Sequence, residues 1–519
     1  MYKLFMSVYS FKNFIYVIIF FLQLVIQHAI GQITFSKVFD IDGQIDQAIA
    51  VRAQSDGYLI LGSSYCFDGS VECYTYFKTD LSGNLVWKKL LSNFPRSITP
   101  QDGYGNHGIA TKLDFDDLFF IGTKYNLNTG SDYFLMRTNG NGDSLWLKQY
   151  GGPRLDLSSD IFFSSDTTLI IFGKRFVGQN DDRVSLMQVD LNGNVIWEKV
   201  YGKINTKVAR EDIIHLKNGD MVFTKLYCEV GTNCLIGDPK QLMMTRVDAN
   251  GNEIWTKQIY TYLEYFSDCL LLELDTGDIL VSFYENNFGG TGPFYYPVFL
   301  WVDSTGEVKK EITLPSDTEI KIHDMILSSS GNIVATGYID KLEKGYAGLI
   351  LSLTQDGEML WEREIQDGRD KLNLMDLYAL AEADDGGLIL TGTIYITSPD
   401  SQSFSQDIWL VKLDSNGCYN PDCENFQIIT ATHDLEDTWD NFKIFPSPTS
   451  DALYIESPAS QSTTMNITLW DVDGRPVAHK TCETYASLDV SNLPTGIYII
   501  KILSPEGKLL YTKSVMISR

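Results

Sequence analysis

The side chains best suited to acid–base chemistry are the five histidines that follow residue 31: His107, His215, His323, His433 and His479. His107 and His323 fall in segments expected to be first strands of repeated sheets, so both could face a central channel. Beside carboxylates, imidazoles act as general acids or bases. The sequence contains no nucleophile elbow, no His-Glu-x-x-His motif and no phosphate-binding loop. We therefore assign no catalytic, cofactor-binding or metal-ligating residue. An enzymatic role stays open, but the sequence favours a protein without catalytic activity.

Eight cysteines are consistent with an oxidising compartment. Cys269 lies in an apolar stretch, which predicts a buried thiol, and Cys482 has no close partner in the sequence. No Cys-x-x-Cys spacing occurs, so a zinc site is not expected. The remaining cysteines form three local pairs that predict loop disulfides: Cys66 with Cys73, Cys228 with Cys234, and Cys418 with Cys423.

Glycines and aromatic residues are concentrated in residues 287–296, which read Asn-Phe-Gly-Gly-Thr-Gly-Pro-Phe-Tyr-Tyr. Aromatic side chains on such a loop suit stacking on a sugar or gripping a protein partner. The candidate ligand-binding residues are Phe288, Phe294, Tyr295 and Tyr296. The alternative is that these rings fold back on their own sheet.

A repeated hairpin must position these side chains. Residues 190–197 read Asp-Leu-Asn-Gly-Asn-Val-Ile-Trp, and similar segments recur at intervals of about 50 to 60 residues. Asn-Gly and Asp-Gly supply the positive φ of tight hairpin turns. The glycines of these corners are Gly83, Gly142, Gly193, Gly251, Gly306, Gly357 and Gly417. Seven corners, each with an earlier strand and turn, predict an all-β, seven-bladed β-propeller.

The same corners resemble part of an EF-hand loop, which raises the possibility of calcium. The terminal bidentate Glu is missing and strands flank each corner. We therefore interpret them as turns, and no cofactor is expected. The repeated tryptophans have two interpretations as well: packing of one blade on the next, which we favour, or sugar binding.

The last repeat lacks its fourth strand, because it stops near Cys423. A spare strand, residues 33–39, precedes the first repeat. We expect it to complete the last blade, since closure of this kind removes two exposed sheet edges. The corners form a regular face of the propeller, and the longer loops between second and third strands form a variable face.

Residues 1–31 predict an export signal. Lys3 and Lys12 precede an apolar run over residues 14–30, and small residues favour cleavage between Gly31 and Gln32. The alternative is that this apolar run is a membrane anchor, since it is about as long as the shortest membrane spans. No later segment is apolar enough to span a bilayer. The formal net charge of −26 argues against nucleic acid and anionic membranes as partners.

The remaining chain divides into a polar, acidic linker over 424–441 and a small β-sandwich over 442–519, with 32–423 as the propeller. Alternating strands separated by Asp-Gly and Glu-Gly turns predict the sandwich. Three of its segments are distinctive: residues 442–451 (Phe-Lys-Ile-Phe-Pro-Ser-Pro-Thr-Ser-Asp), 470–477 (Trp-Asp-Val-Asp-Gly-Arg-Pro-Val) and 493–498 (Leu-Pro-Thr-Gly-Ile-Tyr).

These segments, in this order, resemble the C-terminal sorting domain of the type IX (Por) secretion system. The motif positions are Pro446, Pro448, Gly474, Gly496 and Tyr498, and Ser447 stands where the family usually has Asn. The resemblance implies export by the type IX machinery of a Gram-negative bacterium of the Bacteroidetes type. It also implies an extracellular or outer-surface location, and family members usually lose this domain during export.

These observations together predict a secreted or surface-displayed propeller that binds a glycan or protein without catalysis. Two alternatives remain. One is a polysaccharide lyase or hydrolase with His107 or His323 beside carboxylates at the channel mouth, and the other is a structural component of a surface layer.

Overall fold

The structure is a computed structural model whose described residues form strands and turns, and none of them forms a helix that could cross a membrane. The chain divides into two compact units, Met1–Thr432 and His433–Arg519. The described residues are 32–41, 45–66, 71–95, 109–110, 117–126, 130–152, 156–178, 181–202, 207–209, 212–228, 240–262, 269–286, 295–314, 318–340, 345–367, 375–397, 404–421, 423–429, 432–433, 443–445, 449–456, 464–471, 475–482, 485–503 and 509–518.

Seven sheets occupy the described part of the first unit, and they are numbered here in chain order. Their repeated strands pair antiparallel. Sheet 1 contains β2 (Asp46–Gln54), β3 (Gly57–Cys66), β4 (Val71–Thr79) and β5 (Leu85–Pro95). Sheet 2 contains β6 (Ile109–Ala110), β7 (Leu118–Asn126), β8 (Gly130–Thr138) and β9 (Ser144–Tyr150). Sheet 3 contains β10 (Asp156–Phe163), β11 (Thr168–Gly178), β12 (Asp181–Asp190) and β13 (Val195–Tyr201).

The next four sheets are built on the same plan, with additional strands in sheets 4, 6 and 7. Sheet 4 contains β14 (Lys207–Ala209), β15 (Ile213–His215), β16 (Met221–Cys228), β17 (Lys240–Val247) and β18 (Glu253–Tyr262). Sheet 5 contains β19 (Leu270–Glu273), β20 (Ile279–Asn286), β21 (Tyr295–Val302) and β22 (Val308–Thr313). Sheet 6 contains β23 (Ile320–Leu327), β24 (Ile333–Asp340), β25 (Tyr346–Leu353), β26 (Met359–Asp367) and β30 (Phe426–Ile429). Sheet 7 contains β27 (Met375–Glu382), β28 (Leu388–Thr397), β29 (Phe404–Leu413), β1 (Phe35–Phe39) and β31 (Thr432–His433).

The first strand of the described chain pairs with a strand of the last repeat. β1 runs antiparallel to β29, with Val38 opposite Trp409. The buried Trp409 indole donates from Nε1 to Ser36 Oγ at 2.9 Å. Seven buried clusters each join two sheets that follow one another, and one of them joins sheet 7 to sheet 1. The apolar second and third strands therefore have both faces covered by neighbouring sheets.

The corners are hairpin turns in which the leading Asp serves the backbone. At Asp190, Oδ1 accepts the N–H groups of Asn192 and Asn194, each at 2.8 Å. The backbone hydrogen bond from Asn194 is the main cause that lowers the pKa of Asp190. The carboxylate thus accepts hydrogen bonds from the backbone of its own turn, which is the usual role of an Asp at the first position of a tight turn.

The repeated tryptophans pack on the corner of the following sheet, as expected from their register. A Cβ added at Gly251 would lie 2.8 Å from Trp197 Cη2, so the glycine makes room for the ring. The residue two positions after each tryptophan reaches the same corner, as Lys199 does when its Nζ donates to Asn252 Oδ1 at 2.7 Å. The Trp–Gly pairs of this type are Trp87–Gly142, Trp146–Gly193, Trp197–Gly251, Trp255–Gly306 and Trp361–Gly417.

Two corners receive a substitute ring. Sheet 5 has lysine at the usual tryptophan position, and Trp301 from β21 covers Gly357 instead. In sheet 7, Phe35 of β1 covers Gly83, and Lys37 donates to Asn84 Oδ1 at 3.3 Å. The closing strand thus repeats the aromatic-x-lysine pattern of the other outer strands.

The segment expected to be a linker differs in part from that expectation. Phe426–Ile429 forms β30, which adds in parallel to β26. The Gln427 side chain fixes it, because Nε2 donates to Gly417 O and Oε1 accepts Tyr419 N–H, both at 2.8 Å. The polar composition of the surrounding residues concealed a short strand with alternating buried and exposed side chains.

The described part of the second unit contains two sheets around one apolar core. Tyr498 is buried in this core, and its hydroxyl donates to Pro494 O at 2.9 Å. One sheet contains β32 (Lys443–Phe445), β33 (Ala452–Glu456) and β36 (Tyr485–Asp489), and the other contains β34 (Met465–Trp470), β35 (Pro476–Cys482), β37 (Gly496–Leu503) and β38 (Leu509–Ile517). This is the expected small sandwich.

Candidate ligand-binding site

Tyr295 and Tyr296 begin β21, where they pair with the last residues of β20. In the next sheet, Lys321 lies at the start of β23 opposite Tyr338 near the end of β24. The Asn-Gly corners lie at the opposite ends of these strands, so all four residues belong to the face that the sequence identifies as variable.

A lysine surrounded by aromatic rings lies at the centre of this region. Lys321 Nζ is 4.4 Å from the ring centroid of Tyr295, 5.3 Å from that of Tyr338 and 5.6 Å from that of Tyr284. Tyr284 and Tyr295 meet edge to face at 5.9 Å, and Tyr346 approaches Tyr338 at 4.9 Å. We call these five residues the tyrosine cluster. Cation–π attraction to three rings holds the ammonium group in place.

Carboxylates orient the phenol groups around the cluster. Tyr338 donates to Glu319 Oε1 at 2.6 Å, and Glu285 accepts from Tyr260 at 2.7 Å and from Tyr296 at 2.8 Å. Burial, followed by the hydrogen bond to Glu285, raises the pKa of Tyr296 to about 12. The phenol therefore stays protonated at neutral pH and acts as a donor to the carboxylate.

The rings combine packing with partial access to solvent. Tyr284 and Tyr338 are buried, whereas Tyr295, Tyr296, Tyr346 and Lys321 are half-buried. Tyr295 and Tyr296 pack against the sheets and keep part of their surface accessible to solvent. Packing on the sheet and contact with a ligand are therefore compatible for these two residues. Phe288 and Phe294 lie outside the described residues.

His323 lies next to the cluster and has a carboxylate neighbour. Its Nε2 is 3.2 Å from Asp376 Oδ1, and the side chain is only 4% exposed. The imidazole lies between Tyr338 and Tyr378, with ring centroids 5.8 Å and 5.5 Å away. The structure thus places a sequence-predicted histidine beside an acid from the next sheet, but away from solvent. His107 lies outside the described residues.

The remaining predicted positions are divided between described and undescribed parts of the chain. Cys418 and Cys423 form the expected disulfide, and Cys73 is disulfide-bonded. Cys269 is buried, as predicted. Gln32 is hydrogen-bonded through its side chain to Asp385 O and Ser415 N. The side chains of Cys66 and Cys228 lie outside the description, as do Cys234, Gly31, Pro446, Pro448 and Gly474.

Sequence reasoning missed Tyr284, Lys321, Tyr338 and Glu285. One signal was available, because Tyr284 and Tyr338 each lie five residues after the start of the second strand in consecutive repeats. A tyrosine at the same position of two neighbouring sheets predicts adjacent rings.

Comparison with known proteins identifies one part of the chain. Residues 443–518 match the family model described as a secretion system C-terminal sorting domain. The second unit is therefore a type IX sorting domain, attached to an all-β propeller unit, and the protein is exported to the cell surface or extracellular space. A search of curated proteins found no match to this sequence.

Similar solved structures have low identity to this chain. The β-propeller domain of the Trilobed protease from Pyrococcus furiosus is 10% identical, with a TM-score of 0.40, covering 70% of this chain and 92% of that domain. An acylaminoacyl peptidase from Pyrococcus horikoshii is 12% identical, with a TM-score of 0.41 and 81% of this chain covered. Puromycin hydrolase is 12% identical, with a TM-score of 0.40 and 79% covered. The chain spans 59% of the peptidase and 58% of the hydrolase.

Proposed function

We propose that the propeller unit is a non-catalytic binding module that recognises a glycan, after export, through the tyrosine cluster and the adjacent Tyr296. The exporting organism is a Gram-negative bacterium of the Bacteroidetes type, and the type IX machinery is the partner of the sorting domain. The net charge of −26 disfavours nucleic acid as a ligand.

The observation that supports this function is the set of half-buried tyrosines already held in fixed positions. Tyr295 is braced by Tyr284 and Lys321, and Tyr296 is braced by Glu285. Rings fixed in this way lose little conformational entropy when they bind. A tyrosine ring offers an apolar face to sugar C–H groups, and its hydroxyl remains a polar contact. Neighbouring charges on Lys321 and Glu319 add polar groups that can give specificity.

The test is a glycan array probed with the mature chain, residues 32–519. Substitution of Tyr295 or Tyr296 by Ala is expected to weaken binding at least about tenfold, the effect of losing roughly 1.4 kcal/mol. Tyr485→Ala is the control, because this ring is 54% exposed on the second unit. Equal losses in all three variants would refute the role of the cluster. Capture of a protein instead of a glycan, with the same dependence on Tyr295, would replace the ligand class.

A second candidate function follows from the His323–Asp376 contact. An imidazole held by a carboxylate is suited to proton transfer, as a polysaccharide lyase or hydrolase requires. The 4% exposure of the His323 side chain argues against direct access by a polymer. Turnover of a polysaccharide panel by the mature chain, abolished in His323→Gln, would establish this alternative.

A further inference from the structure

Three carboxylates meet where the chain passes from sheet 7 to sheet 1. Asp40 directly follows β1, Asp46 begins β2 and Asp407 lies on β29, the partner of β1. One carboxylate oxygen from each residue lies within 4.8 Å of the others. The carboxylates therefore come from three different strands or their ends, at the junction between the first and last sheets.

Asp46 is the member of the group whose environment is incomplete. Its side chain is fully buried, and Oδ2 accepts the Ile41 N–H at 2.5 Å. Oδ1 is buried and has no partner at hydrogen-bonding distance, and the polar groups that favour the ionised form of Asp46 are the Ser64 hydroxyl and the Ile41 N–H. The charged groups that act on Asp46 are Asp40 and Asp407, both negative, and Asp407 is only 1% exposed. A buried carboxylate of this kind is normally paired with a cation or coordinated to a metal.

The equivalent residue of sheet 3 lies opposite a different side chain. Asp156 occupies the same strand position as Asp46 and is also buried. Opposite Asp156 on the neighbouring strand is Arg175, whose charge favours the ionised acid. Opposite Asp46 the corresponding residue is Ser64. Sheet 1 therefore has a neutral hydroxyl where sheet 3 has a built-in cation.

We propose that Asp40, Asp46 and Asp407 bind one calcium ion, which joins the first and last sheets of the propeller unit. Calcium takes oxygen ligands at about 2.3–2.6 Å, so oxygens on opposite sides of the ion lie up to about 5 Å apart. The three oxygens lie within 4.8 Å of one another, so all three can reach one calcium ion. Magnesium keeps several waters and is usually bound through one or two carboxylates, so a group of three carboxylates favours calcium.

Calcium sites of extracellular modules often have dissociation constants of about 10⁻⁴ to 10⁻³ M, which suits a protein that functions outside the cell.

The experiment is calorimetric titration of CaCl₂ into the mature chain after removal of metal with EDTA. We expect about one ion per chain and a melting temperature that rises with calcium concentration by about 2 to 5 °C at saturation. Asp46→Asn and Asp407→Asn are each expected to weaken calcium binding at least tenfold. Asp156→Asn is the matched control and is expected to bind calcium like the unmodified protein.

Circular dichroism in EDTA shows that each variant is folded. Asn keeps the size of the Asp46 side chain and cannot become a buried charge, so we expect Asp46→Asn to melt in EDTA no lower than the unmodified chain and to lose the calcium-dependent shift. Absence of calcium binding by the unmodified chain would overturn the proposal in favour of carboxyl groups that share protons. Binding unchanged in Asp46→Asn, or lost equally in Asp156→Asn, would also overturn it.

Discussion

Replacement of Phe35 by Ala tests how the closing strand is attached. Phe35 is only 7% exposed and packs against Tyr58 of sheet 1, with ring centroids 5.9 Å apart. A Cβ at Gly83 would lie 2.5 Å from the Phe35 ring, which shows how closely the ring covers this corner. The ring thus links β1 of sheet 7 to the first repeat.

Truncation of a buried Phe to Ala typically costs about 3–5 kcal/mol, from lost burial and the remaining cavity. We expect a loss of about 3–4 kcal/mol in the free energy of unfolding for Phe35→Ala. Phe35→Trp is expected to cost less than about 1.5 kcal/mol, because five other corners accommodate a tryptophan at this position. Ile33 precedes the strand and is 45% exposed, so Ile33→Ala is expected to change stability by less than about 0.5 kcal/mol.

The assay is urea unfolding of the mature chain followed by tryptophan fluorescence. The reasoning is refuted if Phe35→Ala loses less than about 1 kcal/mol, or if Ile33→Ala loses as much. Either result would mean that the ring does not hold the first strand to the first repeat.

Three further predictions concern the corners, the buried acid and the tail. Gly251→Ala and Gly277→Ala both place an alanine at positive φ. Only at Gly251 would the added Cβ lie 2.8 Å from the Trp197 ring. In urea unfolding, Gly251→Ala should therefore lower the free energy of unfolding by about 1–3 kcal/mol more than Gly277→Ala does. In EDTA, stability should fall as pH rises from about 4 toward 9. The reason is that the pKa of Asp46 is about 9 in the folded state and 3.8 in the unfolded state, so over this range the folded state binds the proton more tightly. Thermal melts of Asp46→Asn should lack this contribution to the pH dependence. Deletion of residues 443–519 should abolish surface display while the propeller unit still folds, as cell fractionation and circular dichroism would show.

The sequence predicted the repeat well because each sheet is specified locally. Eight residues contain the whole signal, as residues 190–197 show. They begin with an Asp or Asn side chain that caps the turn, continue with a glycine at positive φ and end with a tryptophan. Backbone hydrogen bonds within the turn complete that unit without help from distant residues. The sorting tail was recognisable for a similar reason, since its motifs are short and ordered along the chain.

Contacts between sheets were harder to predict. Lys321 and Tyr295 are separated by a full outer strand and loop, and nothing local indicates that the ammonium meets that ring. The same holds for Asp376, which reaches His323 from the next repeat. β30 was missed because four residues with alternating burial carry too weak a pattern to stand out from polar surroundings.

The sequence alone determined the all-β class, the corner turns and the sorting tail. Each of these depends on periodicity or on a short motif. Only the tertiary structure determined that Phe35 takes the place of a tryptophan, that tyrosines of sheets 5 and 6 enclose Lys321, and that Asp40, Asp46 and Asp407 converge. These contacts depend on how one sheet packs against the next. Strand periodicity specifies which face of a strand is buried, but it does not specify which distant side chains that face contacts.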